Sequence, residues 1–155
     1  MSSRYRHHRA FTLLELILVM VIICIVMAIA APKLQNFREG GKLRNTADEF
    51  VAATKFARTQ AISSGYVCAV NIDKQSGSFN VQQQNGQQWT AVDGEFGQPI
   101  TVLDGGQIDS TADPILFYPN GRVQTAQVKI TAGSGESISV ACSAPTEDFA
   151  IAAQQ

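Results

Sequence analysis

The spacing of apolar residues changes period twice along the chain. From Phe11 to Ala31 only Thr12 and Glu15 interrupt a run of apolar side chains. As a helix, such a stretch extends about 30 Å, the thickness of a bilayer core, so it reads as a transmembrane helix over 11–31. Beyond it Leu43, Ala47, Phe50, Val51, Ala57, Ala61 and Ile62 recur mostly at three- and four-residue steps, with Thr54 filling the gap. That is one face of an amphipathic helix, with Asp48, Glu49, Lys55 and Arg58 mostly on the other side. The amphipathic continuation runs over 32–64. Pro32 ends the apolar run without having to end the helix, because a long anchored helix tolerates a proline kink. Gly40-Gly41 is a weak point, and Gly65 is placed as a C-terminal stop.

From Tyr66 the period becomes two. Tyr66, Cys68, Val70 and Ile72 share one strand face, Asp73 to Gly77 is turn-like, and Ser78 to Gln84 is a second strand. Asn85-Gly86 is a strong hairpin signal before Gln87 to Val92. Asp93 to Pro114 reads as loop with one short strand, Ile100 to Leu103. Ile115 to Tyr118 and Arg122 to Thr131 make a hairpin about Pro119-Asn120-Gly121, and Ser137 to Cys142 is a further strand. The fold class is therefore α+β: one long N-terminal helix, half of it transmembrane, whose remaining half packs on an antiparallel sheet formed by residues 65–155.

Charge orients this arrangement. Residues 1–10 hold Arg4, Arg6 and Arg9 and no acid, and the next positive charge is Lys33. A basic flank before a span places the N-terminus in the cytoplasm and the remainder outside. Without that head the chain carries nine Lys+Arg against thirteen Asp+Glu, a net of −4. After Lys129 there is no Lys or Arg, which argues against phosphate contacts and nucleic-acid binding. His7 and His8 are the only histidines, and no G-x-S-x-G, Walker or zinc pattern appears, so the chain reads as a non-enzyme without cofactor or metal. Asp104, Asp109 and Asp113 with Gly105 and Gly106 form an oxygen-rich stretch of the kind calcium uses, but their spacing fits no EF-hand. Cys68 and Cys142 lie on apolar strand faces outside the membrane, where an oxidising compartment permits a disulfide; two buried thiols that never meet is the alternative. Cys24 is packing filler within the apolar run.

Glu15 stands out. A carboxylate in lipid is costly unless paired, so an intramembrane acid marks function. The plain alternative is that a residue so near the end of the span reaches back to the headgroups.

Ala10-Phe11-Thr12-Leu13-Leu14-Glu15-Leu16 resembles the processing site of type IV prepilins and pseudopilins, although that family usually has glycine where Ala10 stands. The resemblance implies a leader of residues 1–10, cut between Ala10 and Phe11 by a membrane-embedded aspartyl prepilin peptidase, with N-methylation of Phe11. Pro32 falls where many pilins carry their helix kink. Ala57-Arg58-Thr59-Gln60-Ala61-Ile62 with Gly65 and Val67, and the F-x-P-x-G-R pattern Phe117, Pro119, Gly121, Arg122, resemble the GspH/FimT group of minor pseudopilins and minor pilins. The implied fold is pilin-like. The implied function is structural: a subunit near the tip of a type II secretion pseudopilus, aiding export across the outer membrane. It would be anchored once in the bacterial inner membrane with its C-terminal domain periplasmic, and would assemble with major and minor pseudopilins through the N-terminal helix. Glu15 would pair with the freed amine of a neighbouring subunit and set the register of assembly. The loop from Asp93 to Pro114 would be its partner-facing surface. Two rivals remain: a minor pilin of a type IV pilus, serving assembly or DNA uptake, and a soluble exported β protein cut at the A-x-A site Ala28-Ile29-Ala30.

Overall fold

The computed structural model describes the backbone of residues 13–102 and 105–152, and the side chains of these except 29–39. The chain divides into two compact units, residues 1–37 and 38–155. One helix, α1 (Leu13–Ser64), supplies the described part of the first unit and opens the second. Among the described residues nine strands follow: β1 (Cys68–Asp73), β2 (Ser78–Asn85), β3 (Gln88–Ala91), β4 (Ile100–Thr101), β5 (Gln107–Ser110), β6 (Ile115–Phe117), β7 (Ala126–Thr131), β8 (Ser137–Cys142) and β9 (Ala150–Ile151).

The helix ends where glycine permits it. Gly65 adopts φ 75° and its N–H donates to Ala61 O at 3.1 Å, so the stop falls as the sequence predicts. The stripe also matches in large part: Leu43, Ala47, Phe50, Thr54, Ala57 and Ala61 are buried, joined by Thr46 and Ala53. Buried Thr54 closes its hydroxyl onto Val51 O at 2.7 Å, which satisfies the one polar atom it brings to the core. Ile62 departs from the reading, being 53 % exposed.

Among the described residues all pairings are antiparallel, but there are two sheets rather than one. The first has the order β3-β2-β1-β6, with β4 also pairing β2; the second runs β5-β7-β8-β9. Tyr66 is exposed and β1 begins only at Cys68, after which Cys68, Ala69 and Val70 are all buried, as in a strand covered on both faces. One continuous core joins α1 to both sheets, with Phe50 edge-on to Phe79 at 5.1 Å and to Phe149 at 6.3 Å.

Turn chemistry set the local hairpins. Between β1 and β2, Asp73 Oδ1 accepts the N–H groups of Gln75 and Ser76, and Ser76 Oγ donates to Asp73 Oδ2 at 2.8 Å. Gly86 (φ 65°) leads a two-residue turn between the paired residues Asn85 and Gln88. Since no described non-glycine residue has positive φ, the turn has the II′ pattern that matches strand twist.

The hairpin expected from Ile115 to Thr131 is corrected. Its turn forms, but β6 pairs with β1 in the first sheet, and β7 with β5 and β8 in the second. Only Phe117 and Val123 bridge directly. At the divergence Gln124 substitutes for a strand, taking the Leu116 N–H on its side-chain oxygen at 3.2 Å and giving its own N–H to Leu116 O at 2.8 Å. In the stretch from Asp93 to Pro114 the expected short strand forms as β4, but the loop reading of the remainder is corrected. It also holds β5 and a 3-10 turn at Glu95–Gly97, and it buries Val102 and Ile108. Gly97 is fixed there by space, since a Cβ would lie 1.8 Å from Val92 O.

Candidate functional site

The first candidate is the apolar half of α1. Every large apolar side chain from Leu13 to Met27 is exposed, from 43 % at Val19 to 77 % at Leu13, and Glu15 is the one charge among them. A helix apolar on all sides is stable only against lipid or other helices. Among the described residues no helix is long and apolar enough to cross a membrane. The span predicted for 11–31 begins before those residues, and its side chains from 29 onward are not described. The cleavage site Ala10–Phe11 and the side chain of Pro32 also lie outside them.

The second candidate is the pair of motifs in the head. Phe117 is buried and anchors the turn. Gly121 takes φ 79° and donates to Tyr118 O at 2.9 Å, and Asn120 Oδ1 accepts the Arg122 N–H at 3.0 Å. Arg122 and Pro119 are exposed. The F-x-P-x-G-R pattern thus builds a turn: an aromatic anchor, a proline that presets φ and a glycine that reverses it. In the helix motif, Arg58 donates to Asp148 Oδ1 at 2.6 Å and to Thr146 O at 3.1 Å, clamping α1 to the segment between β8 and β9. Asp148 is more than half exposed, so this clamp contributes at most about 1 kcal/mol. Its partner lies 90 positions away, which sequence spacing could not reveal.

Of the two alternatives left open for Cys68 and Cys142, the structure has the free thiols. Cys68 and Cys142 are buried free thiols on different sheets, and the Cys142 thiol faces Ala144 O at 3.2 Å and Glu147 O at 3.4 Å. Burial pushes both thiols upward in pKa. A higher pKa means less thiolate at neutral pH, hence slow reaction. In the folded chain under non-reducing conditions, thiol reagents will therefore leave both untouched, and denaturation will make both reactive. Finding only Cys24 reactive after denaturation would restore the bridge.

The described carboxylates of the acidic stretch have partners of their own. Asp104 lies outside the described residues, Asp109 meets Lys74 at 3.7 Å, and Asp113 Oδ1 accepts the Ile72 N–H at 3.2 Å. Among the described residues no three His, Cys, Asp or Glu side chains gather to hold a metal.

Asp73 gives a pH dependence. Its carboxyl is held below the usual range by the Ser76 hydroxyl first, then by the N–H groups of Gln75 and Ser76. A lowered folded-state pKa stabilises above the unfolded value and loses that contribution as pH falls through the folded one. Melting of the unaltered chain and of Asp73→Asn should accordingly differ at neutral pH and converge in acid. A difference that grows on acidification would contradict the turn's role.

An exposed apolar helical run with one carboxylate, together with a helix-packed two-sheet head, defines a pilin-class subunit. Two family descriptions match the chain: a prokaryotic N-terminal methylation motif at residues 5–31, and the type II transport protein GspH at residues 46–145. The chain belongs to the GspH family, and is a minor pseudopilin of type II secretion. It is 27 % identical over 133 residues to the type II secretion system protein H of Xanthomonas campestris pv. campestris, covering 81 % of this chain and 73 % of that one. Its fold is similar to the minor pseudopilin EpsH of Vibrio cholerae, with TM-score 0.62, 18 % identity and coverage of 72 % of this chain and 97 % of that one. The type IV minor pilin FimU of Pseudomonas aeruginosa follows at TM-score 0.52 and 14 % identity, covering 76 % and 92 %. The match to the type II transport protein GspH family favours the secretion reading over the type IV pilus.

Proposed function

We propose that this pseudopilin is cut between Ala10 and Phe11 by a prepilin peptidase, methylated on Phe11, and anchored once in the inner membrane through residues 11–31. The N-terminus starts in the cytoplasm, and the head works in the periplasm. Stem helices of neighbouring pseudopilins pack together, and Glu15 of one pairs with the Phe11 amine of another. Each group relieves the other's desolvation, so the pair specifies alignment more than it adds net stability. The subunit sits near the fibre tip and aids export as a structural component. The observation that carries this reading is the apolar run, exposed from Leu13 to Met27, bearing a single carboxylate four residues after the phenylalanine of a methylation motif.

N-terminal sequencing of the protein from native membranes tests it. The expected result is methylated Phe11. A start at Ala31 would instead identify a soluble exported domain.

A further inference from the structure

We propose that the outer edge of β3 is a docking site for an extended strand of another pseudopilin. The other sheet edges among the described residues are each protected. The outer edge of β6 is occupied by Gln124, which bonds both the N–H and the C=O of Leu116. β4 and β9 are two residues long. β5 carries Asp109, paired with Lys74. Short length, charge on the edge strand and covering groups are the usual protections of an edge. β3 has none of them: Gln88-Trp89-Thr90-Ala91 contains no charge, proline or glycine, and all four residues are exposed.

The register identifies the open groups. Asn85 pairs with Gln88 and Gln83 with Thr90, and the Val92 N–H donates to Val81 O at 3.2 Å. In an antiparallel pair, hydrogen-bonded and non-hydrogen-bonded positions alternate. Gln88, Thr90 and Val92 therefore bond inward to β2. Trp89 and Ala91 turn their N–H and C=O groups away from it, and no described residue meets them. Two donors and two acceptors at two-residue spacing are complementary to extended backbone. The Trp89 indole, 40 % exposed, adds an aromatic surface beside them.

Charge narrows the occupant. Between Lys74 and Arg122 the chain has no Lys or Arg, and Asp93 and Glu95 follow β3 directly and are exposed. An uncharged strand flanked by a basic residue fits this edge. A second copy of the same edge would set acid against acid.

This inference rests on assembly with other pseudopilins but adds a head contact to the stem contact. Ala91→Pro tests it, because proline removes one outward N–H and leaves the β2 ladder intact. The full-length chain is co-expressed with the other pseudopilins of its secretion system and purified in detergent. Ala91→Pro should lower their recovery about tenfold while melting as the unaltered chain does. Amide hydrogen exchange gives a readout independent of that variant's folding. Trp89 and Ala91 should exchange quickly in the isolated chain and at least about tenfold more slowly in the assembly, with Gln88 and Thr90 protected in both. Equal exchange at Trp89 and Ala91 in the two states would overturn strand docking and leave the stem reading standing. A homodimer through β3 would overturn it too. If the unaltered chain recovered no pseudopilin at all, both readings would fail.

Discussion

Glu15→Ala will be inserted and processed as usual, yet its incorporation into the pseudopilus will fall by roughly 100-fold or more. Removing one half of a desolvated ion pair strands the other charge, at about 3–5 kcal/mol. Here the stranded group would be the Phe11 amine of a neighbour, surrounded by the apolar side chains that the structure leaves uncovered from Leu13 to Met27. Glu15→Asp, which keeps the charge but shortens the arm, should recover part of the incorporation. Quantifying the variant in purified pseudopili against membrane-resident chain separates assembly from insertion. Undiminished incorporation would mean that Glu15 merely reaches the headgroups and sets no register.

The largest effect on the head falls at Phe50. Its ring is fully buried and meets Phe79 and Phe149 edge-on, so one side chain ties α1 to β2 and to the segment leading into β9. Phe50→Ala removes that aromatic surface and leaves a cavity between layers that cannot close, costing about 3–5 kcal/mol. Against a typical stability of about 5–15 kcal/mol this brings the head near unfolding at modest temperature. Denaturant titration of the full chain in detergent micelles, followed by near-ultraviolet circular dichroism, measures it. A loss below about 1 kcal/mol would show that the core is not organised around this ring.

The two effects lie on different links between sequence and function. Phe50 maintains the head that partners would recognise, whereas Glu15 acts only when stems meet. A chain with Phe50→Ala should therefore still be processed and inserted, and one with Glu15→Ala should retain a head that melts normally.

Much of this molecule is written in local pattern. The apolar run, the amphipathic stripe and the Gly65 stop were legible because a helix exposes its periodicity to its own neighbours three and four positions away. The turns at Asp73–Gly77 and Gly86 were legible because their hydrogen bonds and positive φ values are local. The methylation motif was readable for a related reason, as its residues are consecutive. Phe50 and Glu15 could both be singled out this way, one as a stripe member and the other as a charge out of place.

Other features depend on residues far apart in the chain. Nothing local tells β7 to leave β6 and pair with β5 and β8, nor warns that Gln124 will close the abandoned edge. β5 and β9 are too short for alternation to register, and each exists because a longer neighbour offers it a ladder. Cys68 and Cys142 alternate onto apolar faces as a bridged pair would, yet both are free thiols, because alternation fixes a face and not a partner. The ion pair of Arg58 with Asp148 and the open edge of β3 have the same origin. Period and turn chemistry choose the elements, because those energies act between residues a few positions apart. Sheet partnership, edge exposure and thiol pairing emerge only when distant segments compete for the same buried surface and the same hydrogen bonds.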